Sequence, residues 1–173
     1  MDDQGYLYVS NYEKHEVRRY QSGDKNGTLV AGGNGRGNGL HQLNESSYLF
    51  VDREQNVYVS EQYNHRVMNW NKDTKEGIIV AGAQGRGNAL TQLNQPMGLF
   101  VDTSGTLYVA DTFNSRVMRW PQGAKQGTVI MGGKGWGSQA DQFTGPIGLS
   151  FDQNRNLYVA DCENHHVQRF SPE

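Results

Sequence analysis

The sequence repeats itself every fifty residues, and that period constrains the fold more than any other feature. Leu7-Tyr8-Val9-Ser10 returns as Val57-Tyr58-Val59-Ser60, then as Leu107-Tyr108-Val109-Ala110 and Leu157-Tyr158-Val159-Ala160. Asp2, Asp52, Asp102 and Asp152 keep the same step, as do Val17, Val67, Val117 and Val167. The aromatics Tyr20, Trp70, Trp120 and Phe170 follow it, with Gly27, Gly77 and Gly127 close behind. Residues 51–100 and 101–150 are identical at 18 of 50 positions. A period of this length without insertions marks one supersecondary unit copied in tandem, each copy burying its apolar face against the next.

Each unit reads as four short strands. In the third, Gly98–Asp102 is the first, and Asp102-Thr-Ser-Gly105 is a turn opened by a side-chain acceptor and closed by glycine. Leu107–Ala110 is an apolar run, expected to be buried on both faces. Asp111–Ser115 turns into Arg116–Trp120, and Thr128–Met131 completes the unit before Gly132. No window of a dozen residues shows a helical period. Four-stranded antiparallel units in tandem predict an all-β chain, a β-propeller. The units span about 1–47, 48–97, 98–147 and 148–173, with three, four, four and three strands. Met1 aligns with Val51, inside an innermost strand, and the last unit lacks its fourth strand. The chain is therefore expected to be the C-terminal part of a larger ring, with open blade edges available for self-association.

Composition removes several classes of function. Sixteen basic and 18 acidic residues leave a net charge of −2, which excludes a strongly basic nucleic-acid binder. Three Trp, nine Tyr and six Phe are too many for a disordered chain. Cys162 is alone, so there is no intramolecular disulfide framework and no cysteine-based zinc cage. No apolar run approaches the ~20 residues of a membrane helix, so no membrane insertion is expected. The opening Met-Asp-Asp-Gln-Gly has neither the basic nor the apolar stretch of a signal peptide, and the compartment stays open.

The strand and turn sequences resemble the NHL repeat. Gly98-Leu-Phe-Val-Asp102, Leu107-Tyr-Val-Ala-Asp111 and Asn114-Ser-Arg-Val117 carry the likeness, and Asn64-His65-Arg66-Val67 is closer still. Asn164-His165-His166-Val167 loses the arginine, and Lys14-His15-Glu16-Val17 departs most. The Gly-His and Trp-Asp pairs of WD40 units are absent. The resemblance implies a ring of typically six blades. It does not by itself imply an activity, because unrelated functions share one fold.

Several residue sets invite a chemical reading. The Gly-rich stretches at 32–38, 82–88 and 132–138 suggest phosphate cradles, but no helix or Lys-Ser/Thr pair follows, so they read as loops between blades. His15, His65 and His165 share one repeat position beside His166 and could ligate zinc, but equivalent atoms on adjacent blades lie too far apart for one ion, so a turn role is the reading, and His41 reads as solvated. Asp2, Asp52, Asp102 and Asp152 could ring a cation such as calcium, yet turn capping accounts for all four. Arg66 and Arg116 have Glu61, Asp111 and Asp161 nearby as ion-pair partners. Ser10 and Ser60 lack a nucleophile elbow, and Cys162 occupies a variable position. No catalytic set and no cofactor or metal site emerges.

The frame positions Tyr58, Tyr108, Tyr158, Asn64, Asn114 and Asn164 stay constant while loop side chains vary. Arg36 and Arg86 give way to Trp136 beside Lys134. A constant frame with varied polar, aromatic and basic loops suits a non-catalytic interaction module for a protein or peptide. Its candidate contacts are Arg36, Arg86, Lys134, Trp136, His65, Arg66, Arg116, His165 and His166. Two alternatives come from the resemblance. One is an RNA-binding or substrate-recognition propeller of a ubiquitin-ligase-type protein. The other is a metal-dependent enzyme like the amidating lyases or lactonases.

Overall fold

The computed structural model describes residues 2–171, so the alignment of Met1 with an innermost strand lies outside the described residues. Fourteen strands form four antiparallel sheets. The first contains β1 (Leu7–Asn11), β2 (Glu16–Tyr20) and β3 (Thr28–Gly32). The second contains β4 (Ser46–Val51), β5 (Val57–Glu61), β6 (Arg66–Trp70) and β7 (Ile78–Gly82). The third repeats it with β8 (Pro96–Val101), β9 (Leu107–Asp111), β10 (Arg116–Trp120) and β11 (Thr128–Gly132). The fourth contains β12 (Pro146–Phe151), β13 (Leu157–Asp161) and β14 (His166–Phe170). Strands are neighbours in sequence order, so each sheet is an up-and-down propeller blade.

Local chemistry sets the turns. Asp102 Oδ1 accepts from the N–H groups of Ser104 and Thr106, both at 2.9 Å, and Gly105 takes φ +78° to close the turn. Asp152 does the same with Asn154 and Asn156. Tyr108 and Tyr158 donate their hydroxyls to these two aspartates at 3.3 Å. Asp52 instead takes the Asn56 amide, and Tyr58 meets Phe50 edge-on at 6.5 Å. Burial works to raise the Asp102 carboxyl, but the Ser104, Thr106 and Tyr108 donors outweigh it and hold it below the ordinary range. Asp152 is lowered chiefly by the Asn156 amide.

Two details differ from the sequence reading. Strand β8 runs Pro96–Val101 rather than Gly98–Asp102, and β4 and β12 also begin about two residues early. A proline is tolerated at the first residue of a strand, where its missing N–H costs no ladder bond. The segments after β9 and β13 form single turns of 3-10 helix, Thr112–Asn114 and Cys162–Asn164.

The core lies between blades rather than within them. Val17 and Ala31 of the first sheet pack with Val57, Val59, Met68 and Trp70 of the second. Val67 and Ala81 of the second pack with Leu99, Leu107, Val109, Met118 and Trp120 of the third. Val117 of the third packs with Leu157 and Val159 of the fourth. At the inner edge Phe100 bridges Phe50 and Phe151, with ring centroids 5.2 and 5.1 Å apart. No helix among the described residues is long and apolar enough to cross a membrane.

Candidate functional site

Up-and-down blades put two kinds of connection at the same end. The turns after β1, β5, β9 and β13 lie beside the long loops 33–45, 83–95 and 133–145 that lead from one blade to the next. A repeated polar clamp joins them. In the third blade, Asp111 accepts from the backbone N–H of Asn94 (2.7 Å), the Asn114 amide (2.8 Å) and Arg116 Nε (2.7 Å). Arg116 then donates its remaining N–H groups to the carbonyls of Asn88 (2.7 Å), Ala89 and Gln92 (both 3.1 Å). Asn114 also donates to the Gly87 carbonyl. The second blade repeats the device with Glu61, Asn64 and Arg66 holding Gly37, Asn38 and Gly39.

This geometry corrects the placing of Arg66 and Arg116 among ligand-contacting residues. Both guanidiniums are buried, and their donors are spent on carboxylates and loop carbonyls. Their role is to hold the interblade loop in one shape. Burial pushes the Glu61 and Asp111 carboxyls upward, while the guanidinium, amide and backbone donors pull the other way. In the fourth blade Asp161 keeps Thr144 N–H and the Asn164 amide, but His166 stands off at 3.6 Å and is exposed.

A second brace escaped the sequence reading. Gln42 and Gln92 accept from the N–H of Gly39 and Ala89 across the loop and donate back to the carbonyls of Asn34 and Gln84. Gln142 donates likewise to Lys134. A Cβ on Gly37, Gly87 or Gly137 would come within 2.1 Å of the glutamine Oε1 and would push the amide out of its brace. Leu43, Leu93 and Phe143 follow the glutamines and are fully buried, pinning each loop to the core. The signal was present as Gln-Leu, Gln-Leu and Gln-Phe at fifty-residue steps.

The rigid loops present a varied outer surface. Arg36 stands over the Tyr63 ring at 5.8 Å and donates Nε to Asn44. Arg86 is exposed at the equivalent site of the next loop, where both arginines share the same isolated bridge geometry. Lys134 pairs with Asp141 across the third loop. Trp136 is 69 % exposed, and Tyr63 and Phe113 are exposed on the neighbouring turns. His165 is also exposed, in the left-handed region at φ +54°.

His65 has a defined structural post. Its Nδ1 accepts the Gln95 N–H at 3.1 Å, tying one blade's turn to the loop entering the next. Burial, helped by the Arg86 charge, lowers its pKa against the pull of Asp111. Neither the repeated histidines nor the repeated aspartates converge: among the described residues no three His, Cys, Asp or Glu side chains stand close enough to hold a metal.

The NHL repeat family model matches residues 143–170, the stretch holding Phe143, Asp161, Asn164 and strands β12, β13 and β14. No curated protein matches the sequence significantly. Solved structures do share the fold. An auxiliary nutrient binding protein from Bacteroides thetaiotaomicron superposes with TM-score 0.73 at 18 % identity, over 96 % of this chain and 45 % of its own. A structure of a nidogen/laminin complex gives TM-score 0.69 at 15 % identity, over 98 % and 60 %. A streptogramin B lyase gives TM-score 0.63 at 10 % identity, over 98 % and 49 %. The chain thus spans about half the length of the propellers it matches. Residues 143–170 match the NHL repeat, and the chain as a whole is a run of four antiparallel β-propeller blades.

Proposed function

We infer that this chain is a non-catalytic binding module that takes a protein or peptide partner on the loop face. The observation that carries this reading is the contrast between backbone and surface on that face. Loops 33–45 and 83–95 are held by buried arginine clamps and loop 133–145 by bonds to Asp161, Asn164 and Gln168, while Tyr63, Phe113 and Trp136 stay exposed among Arg36, Arg86 and Lys134. Exposed aromatics interleaved with arginine on a preorganised backbone are the composition of binding hot spots. The loops and turns 62–65, 83–95 and 112–115 carry Arg86 and no carboxylate. The carboxylates beside these turns, Glu61 and Asp111, are buried within the clamps. Among structural neighbours, one is described by nutrient binding and one by a laminin complex, which agrees with a binding role.

The test is selection of a random peptide library on the folded chain. Peptides enriched on the wild type should be lost on a Tyr63→Ala, Phe113→Ala, Trp136→Ala triple variant of unchanged stability. Peptides retained by that variant place the site elsewhere. A random single-stranded RNA pool is run beside it. RNA binding that falls steeply with salt, in the absence of any selected peptide, would replace the peptide reading with the nucleic-acid one.

A further inference from the structure

The sequence contains two Asn-x-Ser/Thr acceptor motifs for N-linked glycosylation, Asn26-Gly27-Thr28 and Asn44-Glu45-Ser46. The fold gives them opposite surroundings. Asn44 is built into the clamp of the second blade: its N–H donates to Glu61 at 2.8 Å, its Oδ1 accepts from Arg36, and its Nδ2 donates to Asn64. Ser46, the hydroxyl residue of that motif, is buried at the start of β4. A sugar on Asn44 Nδ2 would occupy the space of the Asn64 bond. Asn26 stands on the short loop between β2 and β3, at the end of the blade opposite the loop face. Asn26 and Thr28 are both exposed, and the Asn26 side chain makes no hydrogen bond among the described residues. Its backbone is nevertheless fixed, because the Asn26 carbonyl accepts Arg18 Nη1 at 2.9 Å.

The repeat supplies internal controls. The equivalent loops read Glu76-Gly77-Ile78 and Gln126-Gly127-Thr128. Residues 76, 78, 126 and 128 are exposed as well, although both loops have a preceding blade against them. The interblade loops reach these sites only through the glycine, Leu40 accepting the Gly77 N–H and Leu90 the Gly127 N–H. Exposure at this place is therefore a property of the blade. The middle glycine is required too: a Cβ at Gly27 would lie 2.7 Å from the Tyr20 ring, as at Gly127 from Trp120.

We propose that Asn26 is an N-glycosylation acceptor in a secretory compartment and that Asn44 is not. The co-reactant is a lipid-pyrophosphate-linked oligosaccharide. Asn26 Nδ2 bonds to the anomeric carbon of the reducing-end sugar and gives up one proton. The bond from that carbon to the pyrophosphate oxygen breaks, and the pyrophosphate leaves with the electron pair. The glycan then lies beside the edge strand β3, covering its unpaired backbone and the exposed Leu29, and leaves the loop face clear.

The experiment expresses the full chain behind a cleavable secretion leader in a eukaryotic cell. The secreted protein is compared before and after peptide-N-glycosidase, with mass mapping of the Asn-to-Asp conversion that the enzyme leaves. One glycan is expected, mapped to residue 26. It should vanish in Asn26→Gln and in Thr28→Ala and survive Asn44→Gln. Gln126→Asn, which completes a motif on the equivalent loop, should add a second glycan. A secreted wild type without a glycan overturns the proposal, most sharply if Gln126→Asn gains one. A glycan that survives Asn26→Gln or maps to Asn44 overturns it equally.

Discussion

The loops 83–95 and 133–145 have the same length and enter the next blade at the same register, yet they are held by different chemistry. The first is gripped by a buried arginine that joins Asp111 to three loop carbonyls. The second has His166 in that place, 3.6 Å from Asp161, and Gln168 reaching the Gln142 carbonyl at 3.0 Å. Packing differs in the same sense. Val117 is 0 % exposed and Val167, at the same repeat position, is 65 % exposed. The third blade has a sheet on each side and the fourth has one described neighbour. A multidentate buried ion pair is effective where neighbours exclude water, and an exposed imidazole gains little from the same carboxylate. The full clamp is found in the two blades that carry the arginine and have a sheet on each side.

The largest expected effect tests that claim directly. Arg116→Met leaves Asp111 buried without its counter-charge and should cost about 3–5 kcal/mol, read by urea unfolding. His166→Ala should cost under ~1 kcal/mol in the same assay. Equal losses would break the comparison. Next, Val117→Ala should cost about 2 kcal/mol, whereas Val167→Ala should stay within ~0.5 kcal/mol.

The smallest effect is a pH slope at the junction between the second and third blades. Burial and Arg86 hold the His65 pKa below its ordinary value of about 6.5. The unfolded chain then binds the proton more readily than the folded one. Stability is fully present above about pH 6.5 and falls as pH drops toward the lowered folded value. His65→Ser, the residue that Ser115 already supplies one blade later, should flatten the difference in unfolding free energy between about pH 7.5 and 5.5. An unchanged slope would remove His65 from the account.

Much of the fold is legible in the period. Four copies of the Leu/Val-Tyr-Val strand and the recurring Asp turns are enough to place fourteen strands in four sheets, because each turn is closed by residues within five positions of one another. The clamp is only half legible. Asp111 and Arg116 are visible as an ion pair, but the carbonyls of Asn88, Ala89 and Gln92 have no signature, since every residue carries the same backbone acceptor. Gln42, Gln92 and Gln142 recur at the fifty-residue step, each before Leu43, Leu93 or Phe143, yet an amide and a loop apolar residue announce no chemistry until the loop folds back over them. Reading Gly98 as the start of a strand leaves Pro96 outside it, and only the ladder shows that Pro96 and Pro146 each pair with an aspartate of the next strand.

Leu7 and Leu107 mark the division between what sequence and tertiary structure each decide. Both belong to the same repeat position and the same strand type, so the chain alone assigns them to a β-strand and to an apolar face. Leu107 is buried against the second sheet, and Leu7 is exposed at the start of the first. Strand, turn and register follow from contacts a few residues apart, which the local sequence carries in full. Burial, the grip of the clamps and the shape of the loop face follow from which sheet lies alongside, and only the three-dimensional arrangement of the blades supplies that neighbour.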